Sequence, residues 1–134
     1  ERIRSWAREN PTRVRELLDY NERYIFFQER KDLAHEEGPV GSLGVPVTPC
    51  VSVAVDSRIW PLGLPFIVKV QQAAPALSFV RPVIAQDTGS AIRGPLRFDY
   101  FWGSGHKAGQ AAGSQKSAIN AWALFPKGSN PSAF

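Results

Sequence analysis

Methionine is absent from this 134-residue chain, and cysteine occurs once. A single thiol excludes an intramolecular disulfide, so packing alone must hold the fold. Cys50, after Pro49, has no reactive-thiol signature around it and reads as a core or turn residue. Histidine is equally sparse. His35 and His106 lie far apart with no Cys or Glu-x-x-His context, which argues against a metal site. No apolar run is long enough to span a bilayer. There is no leader pattern, and the chain opens at Glu1 inside a helical pattern. It reads as a processed or trimmed piece of a larger protein.

The most telling scarcity is of acid. The whole chain carries sixteen Lys or Arg against twelve Asp or Glu, a net charge of +4. Residues 1–37 hold nine of those acids, and no Glu follows Glu37. Only Asp56, Asp87 and Asp99 remain after it, among eight basic residues. A segment with so few carboxylates is not using them for routine solubility, although each could be a turn or capping residue. The basic balance suits an anionic partner. Nucleic acid is not indicated, because the cations are dispersed singly and no recognition-helix, zinc-finger or RNA-binding pattern accompanies them. An anionic cell-wall polymer fits.

What is present divides in two. Residues 1–37 read as a helical lead-in. Ile3, Trp6 and Ala7 fall at helical spacing, and Asn10 then Pro11 look like the N-cap and first position of a second helix striped by Val14, Leu17 and Leu18. A short aromatic strand, Tyr24–Phe27, and a polar connector over 28–37 follow. Residues 38–134 shift to Gly, Pro, Val and Ser. Strands are expected at Val51–Val55, Pro65–Val70, Ser78–Ala85, Leu96–Trp102 and Ala121–Phe125, with Pro or Gly at every junction, as in a small closed barrel. One helix, about His106–Lys116 with Ser104 as N-cap, interrupts them. The tail after Lys127 is rich in Gly, Ser and Pro. The fold class is mainly β.

Three segments carry the chemistry. The first is Gly41-Ser42-Leu43-Gly44-Val45-Pro46-Val47-Thr48-Pro49 with Val53-Ala54-Val55-Asp56 and Ile59-Trp60-Pro61-Leu62-Gly63. The second is Ala85-Gln86-Asp87-Thr88-Gly89-Ser90-Ala91-Ile92-Arg93-Gly94. The third is Arg97-Phe98-Asp99-Tyr100-Phe101-Trp102-Gly103-Ser104-Gly105. In this order they resemble the three-aspartate (3D) domain of the membrane-bound lytic transglycosylase A family, over about Trp6 to Lys127. The chain departs from the family pattern at Ser90 and Cys50, where Gly is usual, and at Arg93, where Lys is usual.

The resemblance implies a double-psi β-barrel at 38–134 behind the lead-in at 1–37. It implies cleavage of the β-1,4 bond between N-acetylmuramic acid and N-acetylglucosamine in peptidoglycan, leaving 1,6-anhydromuramic ends. By position Asp99 is then the catalytic acid, Asp87 its supporting carboxylate, and Asp56 a structural member of the set. Gln86, Thr88, Gly89, Ser90, Ala91, Gly103, Ser104 and Gly105 would line the substrate. Neither metal nor cofactor is implied. The parent protein would be periplasmic and attached to the outer membrane only through a lipid anchor absent here. The family's N-terminal and second-domain segments, which supply the other groove wall, would be missing.

The residues themselves allow this role for Asp99 without requiring it. In a strand, Leu96, Phe98, Tyr100 and Trp102 share one face, and Arg97, Asp99 and Phe101 the other. The first set reads as core and the second as groove. A carboxylic acid that donates at neutral pH needs apolar neighbours or a second carboxylate, whereas a close Arg97 works against it. A strand Asp simply paired with Arg97 stays open. One acid could suffice, because the muramic C6 hydroxyl replaces the second carboxylate of an ordinary glycosidase. Gly103-Ser104-Gly105 is either a ligand-approach loop at a helix start or a plain capped turn. It is not a phosphate loop.

Two rivals stand beside this reading. Asp87-Thr88-Gly89-Ser90 after apolar Val83-Ile84-Ala85 is also an aspartic-protease motif, which a dimer of short chains could use. No later apolar-apolar-Gly segment braces it. A non-catalytic peptidoglycan-binding barrel is the other.

Overall fold

Phe66, Val68 and Val70 alternate with Pro65, Ile67 and Lys69, and alternation at period two puts the first set on one face of a strand. In the computed structural model, which describes residues 2–22, 26, 29 and 37–129, those three are buried. Most of the expected Tyr24–Phe27 strand, most of the 28–37 connector, His35 and the end of the tail lie outside the described residues. The chain divides into two compact units, Glu1–Asp32 and Leu33–Phe134.

The first unit is helical. α1 (Arg2–Glu9) leads to a 3₁₀ turn (Pro11–Arg13) and α2 (Val14–Asp19). Pro11 opens the turn, as its fixed φ favours. Asn10 does not cap it. The Asn10 side-chain amide instead donates to the Trp6 carbonyl at 2.9 Å, the same oxygen that accepts the Asn10 backbone amide, and so closes the end of α1.

The second unit is a five-stranded mixed sheet. Its strands are β1 (Ser52–Val55), β2 (Pro65–Gln72), β3 (Leu77–Thr88), β4 (Asp99–Tyr100) and β5 (Ala118–Ala123), in spatial order β4-β1-β3-β2-β5. Only the β1–β3 pair is parallel. β2 pairs antiparallel with β3 and β5, and β4 with β1. Within the described residues the two edge strands, β4 and β5, do not pair, so the sheet is open where a closed barrel was expected. One face packs the core. Val53, Val55, Phe66, Val68, Val70, Val83 and Ala85 are joined by Phe98, Tyr100, Ile119 and Ala121.

Register explains the altered strand bounds. β3 is longer than expected and carries Gln86, Asp87 and Thr88 inside the strand, because its C-terminal half runs beside β1. β5 starts three residues earlier, where Ala118 meets Gln71 of β2. β4 shrinks from the expected Leu96–Trp102 to two residues. Its only partner is β1, and the chain turns after Val55, with the Ile59 and Trp60 amides closing on the Asp56 carbonyl. Leu96 therefore falls beyond the ladder and is 64% exposed, not core. α3 (Gly105–Ser114) matches the expected helix, but the Ser104 side chain does not cap it.

Cys50 sits at φ +61°, the one non-glycine among the described residues in the left-handed region. That conformation costs an L-residue about 1 kcal/mol, which accounts for the family's usual Gly there. The loop is pinned in place. The Cys50 amide donates to Phe101 O at 2.8 Å, and the Tyr100 hydroxyl donates to Cys50 O at 2.8 Å. Cys50→Gly is expected to be neutral or to stabilise by up to about 1 kcal/mol in urea unfolding, the relieved strain being partly offset by unfolded-state entropy. Cys50→Val, β-branched, is expected to destabilise. Equal stabilities for both variants would show that the backbone there is unstrained.

Candidate functional site

The three aspartates sit at the C-terminal end of β1 and beside it. Ala54 of β1 pairs with Asp87 of β3 on one side and with Asp99 of β4 on the other. Ala54 thus brings the two acidic positions to one level of the sheet, one on each neighbouring strand. Two strand spacings put their Cα atoms about 9–10 Å apart. A register shift between Val53 and Ala54 makes this possible. Val53 pairs with Ala85, and the next β1 residue skips Gln86 to meet Asp87. A bulge of this kind re-aims the side chains around it.

Each aspartate has its own partner. Asp87 Oδ1 accepts the Ser42 amide at 3.0 Å and the Ser42 hydroxyl at 2.9 Å. The Ser42 and Thr88 hydroxyl oxygens are 2.7 Å apart. Ser42 has a single hydroxyl proton, so when it serves Asp87, Thr88 donates. Ser42 reaches Asp87 because the 40–46 loop crosses β3. The Leu43 amide bonds Gln86 O at 3.0 Å, and a Cβ at Gly41 would stand 2.5 Å from that oxygen. Only glycine permits this approach.

Asp99 pairs with Arg97. Nε reaches Oδ1 at 2.5 Å and Nη2 reaches Oδ2 at 3.2 Å, a bidentate contact with both side chains about half exposed. This is the pairing that the sequence left open. Exposed ion pairs contribute little net stability, so a ligand can break this one. Asp99 and Arg97 line an open cavity of about 450 Å³ with Phe98, Gln115 and Lys116, floored by core residues such as Val68. Among the described residues Asp99 is its only acidic lining residue, and Asp87 does not line it.

Asp56 is buried and has a different environment. It accepts Arg58 Nε at 2.9 Å, Arg58 Nη2 at 2.7 Å, the Arg58 amide at 3.2 Å and the Gly94 amide at 2.9 Å. Arg93 Nη1 stands 3.9 Å away. The Arg58 side chain, and after it the Gly94 amide, hold the Asp56 carboxyl well below the usual carboxylate range, against the opposing pull of burial. Asp56 thereby ties the β1 turn to the loop leading into β4. The Trp60 indole N–H adds a second tie, to Pro95 O at 2.8 Å.

The expected substrate-contact residues are scattered. Gln86 Oε1 accepts the Ser52 hydroxyl, which in turn accepts the Thr48 amide at 2.7 Å, so the Gln86 side chain braces the turn before β1. Thr88 faces Ser42. Gly89 abuts Ile92, which is buried, while Ser90 and Ala91 are exposed above it. Gly103, at φ +113°, passes Pro49, where a Cβ would come within 3.3 Å. Ser104 and Gly105 are exposed at the start of α3. None of these eight lines the Asp99 cavity. Sequence reasoning left Ser42, Arg58 and Lys116 without roles. Ser42 stood inside the first segment, but nothing local pairs it with a residue 45 positions later.

Residues 51–125 match the 3D domain family. The chain belongs to that family. The expected resemblance to membrane-bound lytic transglycosylases A is borne out. The Vibrio cholerae serotype O1 membrane-bound lytic murein transglycosylase A is 34% identical over 91% of this chain and 33% of its own length. The crystal structure of MltA from Neisseria gonorrhoeae in its monoclinic form superposes with a TM-score of 0.81 at 41% identity, over 96% of this chain and 32% of that one. E. coli MltA with bound chitohexaose gives 0.76 at 30% identity, over 92% and 37%. The 3D-domain chain thus spans about a third of these relatives. No described helix is long and apolar enough to cross a membrane, and no described cluster of His, Cys, Asp or Glu could hold a metal.

Proposed function

We propose that this 3D domain is the acid-bearing part of a peptidoglycan lytic transglycosylase. It cleaves the β-1,4 bond between N-acetylmuramic acid and N-acetylglucosamine. The observation that carries the reading is Asp99, the single acidic side chain lining an open groove in a family whose relatives bear that activity in their names. Asp99 protonates the glycosidic oxygen. Its carboxylate then takes the proton from the muramic C6 hydroxyl as that oxygen closes on C1, so no water enters and the acid form is restored. Asp87, clamped by Ser42, fixes the neighbouring strand. Asp56 holds the loop that delivers Asp99. Chitohexaose on a relative supports a β-1,4 amino-sugar ligand.

The same reading assigns residues 1–37 as lead-in and 38–134 as a double-psi barrel. The parallel β1–β3 pair within an otherwise antiparallel sheet supports it. The remaining groove wall comes from other segments of a longer envelope protein, periplasmic and tethered by lipid. Mass spectrometry of sacculi digested with the parent protein is expected to find 1,6-anhydromuramic ends. Reducing muramic ends would mean that water is the nucleophile, and would overturn the mechanism. A binding-only domain is the second reading, favoured by the Arg97 pair that occupies Asp99. Sacculus pull-down without product release would establish it.

A further inference from the structure

We infer that Arg97 and Lys116 form a subsite for a carboxylate carried by the glycan, which makes the groove selective for muramic-acid polymers over neutral amino-sugar polymers. This rests on the glycan reading of the Asp99 groove and adds a specificity to it.

Charge is the first ground. Two cations, Arg97 and Lys116, line the cavity with one anion, Asp99. The other two carboxylates after Glu37 are committed elsewhere, Asp56 to Arg58 and Gly94, Asp87 to Ser42. The Lys116 ammonium enters no ion pair among the described residues, although its backbone amide is fixed by Gln72 Oε1 at 2.5 Å. A groove built for a neutral glycan has no use for this excess, whereas an anionic ligand neutralises it.

Geometry is the second. Arg97 already holds a carboxylate in the bidentate arrangement that guanidinium favours. Two of its five N–H donors go to Asp99, leaving the others for a ligand. The pair is half exposed and therefore exchangeable. When Asp99 takes up a proton to act as acid, it gives up its charge and Arg97 loses its anion. A carboxylate arriving on the glycan replaces it. Muramic acid differs from glucosamine by a 3-O-lactyl group, whose carboxyl is free or extended by a peptide bearing carboxylates of its own. Either source presents the same chemistry to Arg97.

The test is an amide-shift NMR titration of this chain, which reads binding into the millimolar range. Three hexasaccharides are compared at 50 and 300 mM salt: chitohexaose, a peptide-free muramic glycan, and its peptide-bearing counterpart. At least one anionic glycan is expected to bind about 5-fold more tightly than chitohexaose at low salt, with the advantage shrinking at high salt. Whichever glycan holds it identifies the source of the carboxylate. Arg97→Gln and Lys116→Gln are each expected to abolish the advantage, read as the ratio of anionic-glycan to chitohexaose affinity within the same variant. Asp99→Asn, which removes the internal competitor, is expected to strengthen anionic binding. Equal affinities for all three glycans, or an advantage that survives Arg97→Gln, would overturn the subsite while leaving the glycan reading intact. Failure of every glycan to bind would overturn both.

Discussion

Asp99→Asn is expected to lower peptidoglycan cleavage by the parent protein at least ~10²-fold with glycan binding kept or strengthened, the low end for loss of a general acid–base group. The amide keeps the shape and can still hydrogen-bond, but it can neither deliver a proton nor recover one. The substitution also leaves the fold alone, since Asp99 is half exposed and its side-chain partner among the described residues is Arg97. Asp87→Asn is expected to cost less. Its Oδ1 accepts two donors from Ser42, and an Asn oxygen can still accept them. The ranking is measured by release of anhydromuropeptides. If Asp87→Asn abolished cleavage in a folded protein while Asp99→Asn remained active, the acid would have to be reassigned to the Asp87-Thr88-Gly89 segment.

Asp56→Asn is expected to act on stability, with a Tm lower by about 5–10 °C at pH 7. The buried carboxylate accepts two Arg58 side-chain donors and the Gly94 amide. An Asn has one accepting oxygen, so its NH₂ must face a donor that the carboxylate had satisfied. The folded-state carboxyl is held below its ordinary range. Stability from it is therefore fully present above the unfolded value, ~3.9, and is lost as pH falls from there toward the folded value. The Tm gap between wild type and Asp56→Asn is thus expected to be constant from pH 6 to 8 and to close below about pH 4. A gap that stayed constant into acid would show that the ionised form is not what stabilises the turn. Cleavage per folded molecule is expected to fall moderately, because Gly94 and Pro95 lead directly to the strand bearing Asp99.

Much of this was legible in the sequence, for identifiable reasons. Strand interiors announced themselves through period-two alternation, as at Phe66, Val68 and Val70, because a half-buried strand needs apolar residues on one face only. The scarcity of acid after Glu37 singled out three aspartates, and their spacing in three ordered segments carried the family. Cys50 read as a core or turn residue, and the turn reading agrees with its place in the loop before β1 at positive φ.

What the sequence could not supply was pairing. Strand ends depend on partners, so β4 shortened to the two residues that β1 can bond and β3 lengthened past Asp87. Closure of the sheet is likewise a matter of which edges meet, and within the described residues β4 and β5 remain edges. The aspartates look alike in one dimension, each ending or lying in an apolar run. Tertiary structure separated them by what it brought within reach. Asp56 was buried against Arg58 and Gly94, Asp87 was given Ser42 from 45 residues away, and Asp99 was left half exposed beside Arg97 in a groove with Lys116. Residue type and order singled out the candidate groups. Their division of labour was decided by long-range contacts that no local pattern encodes.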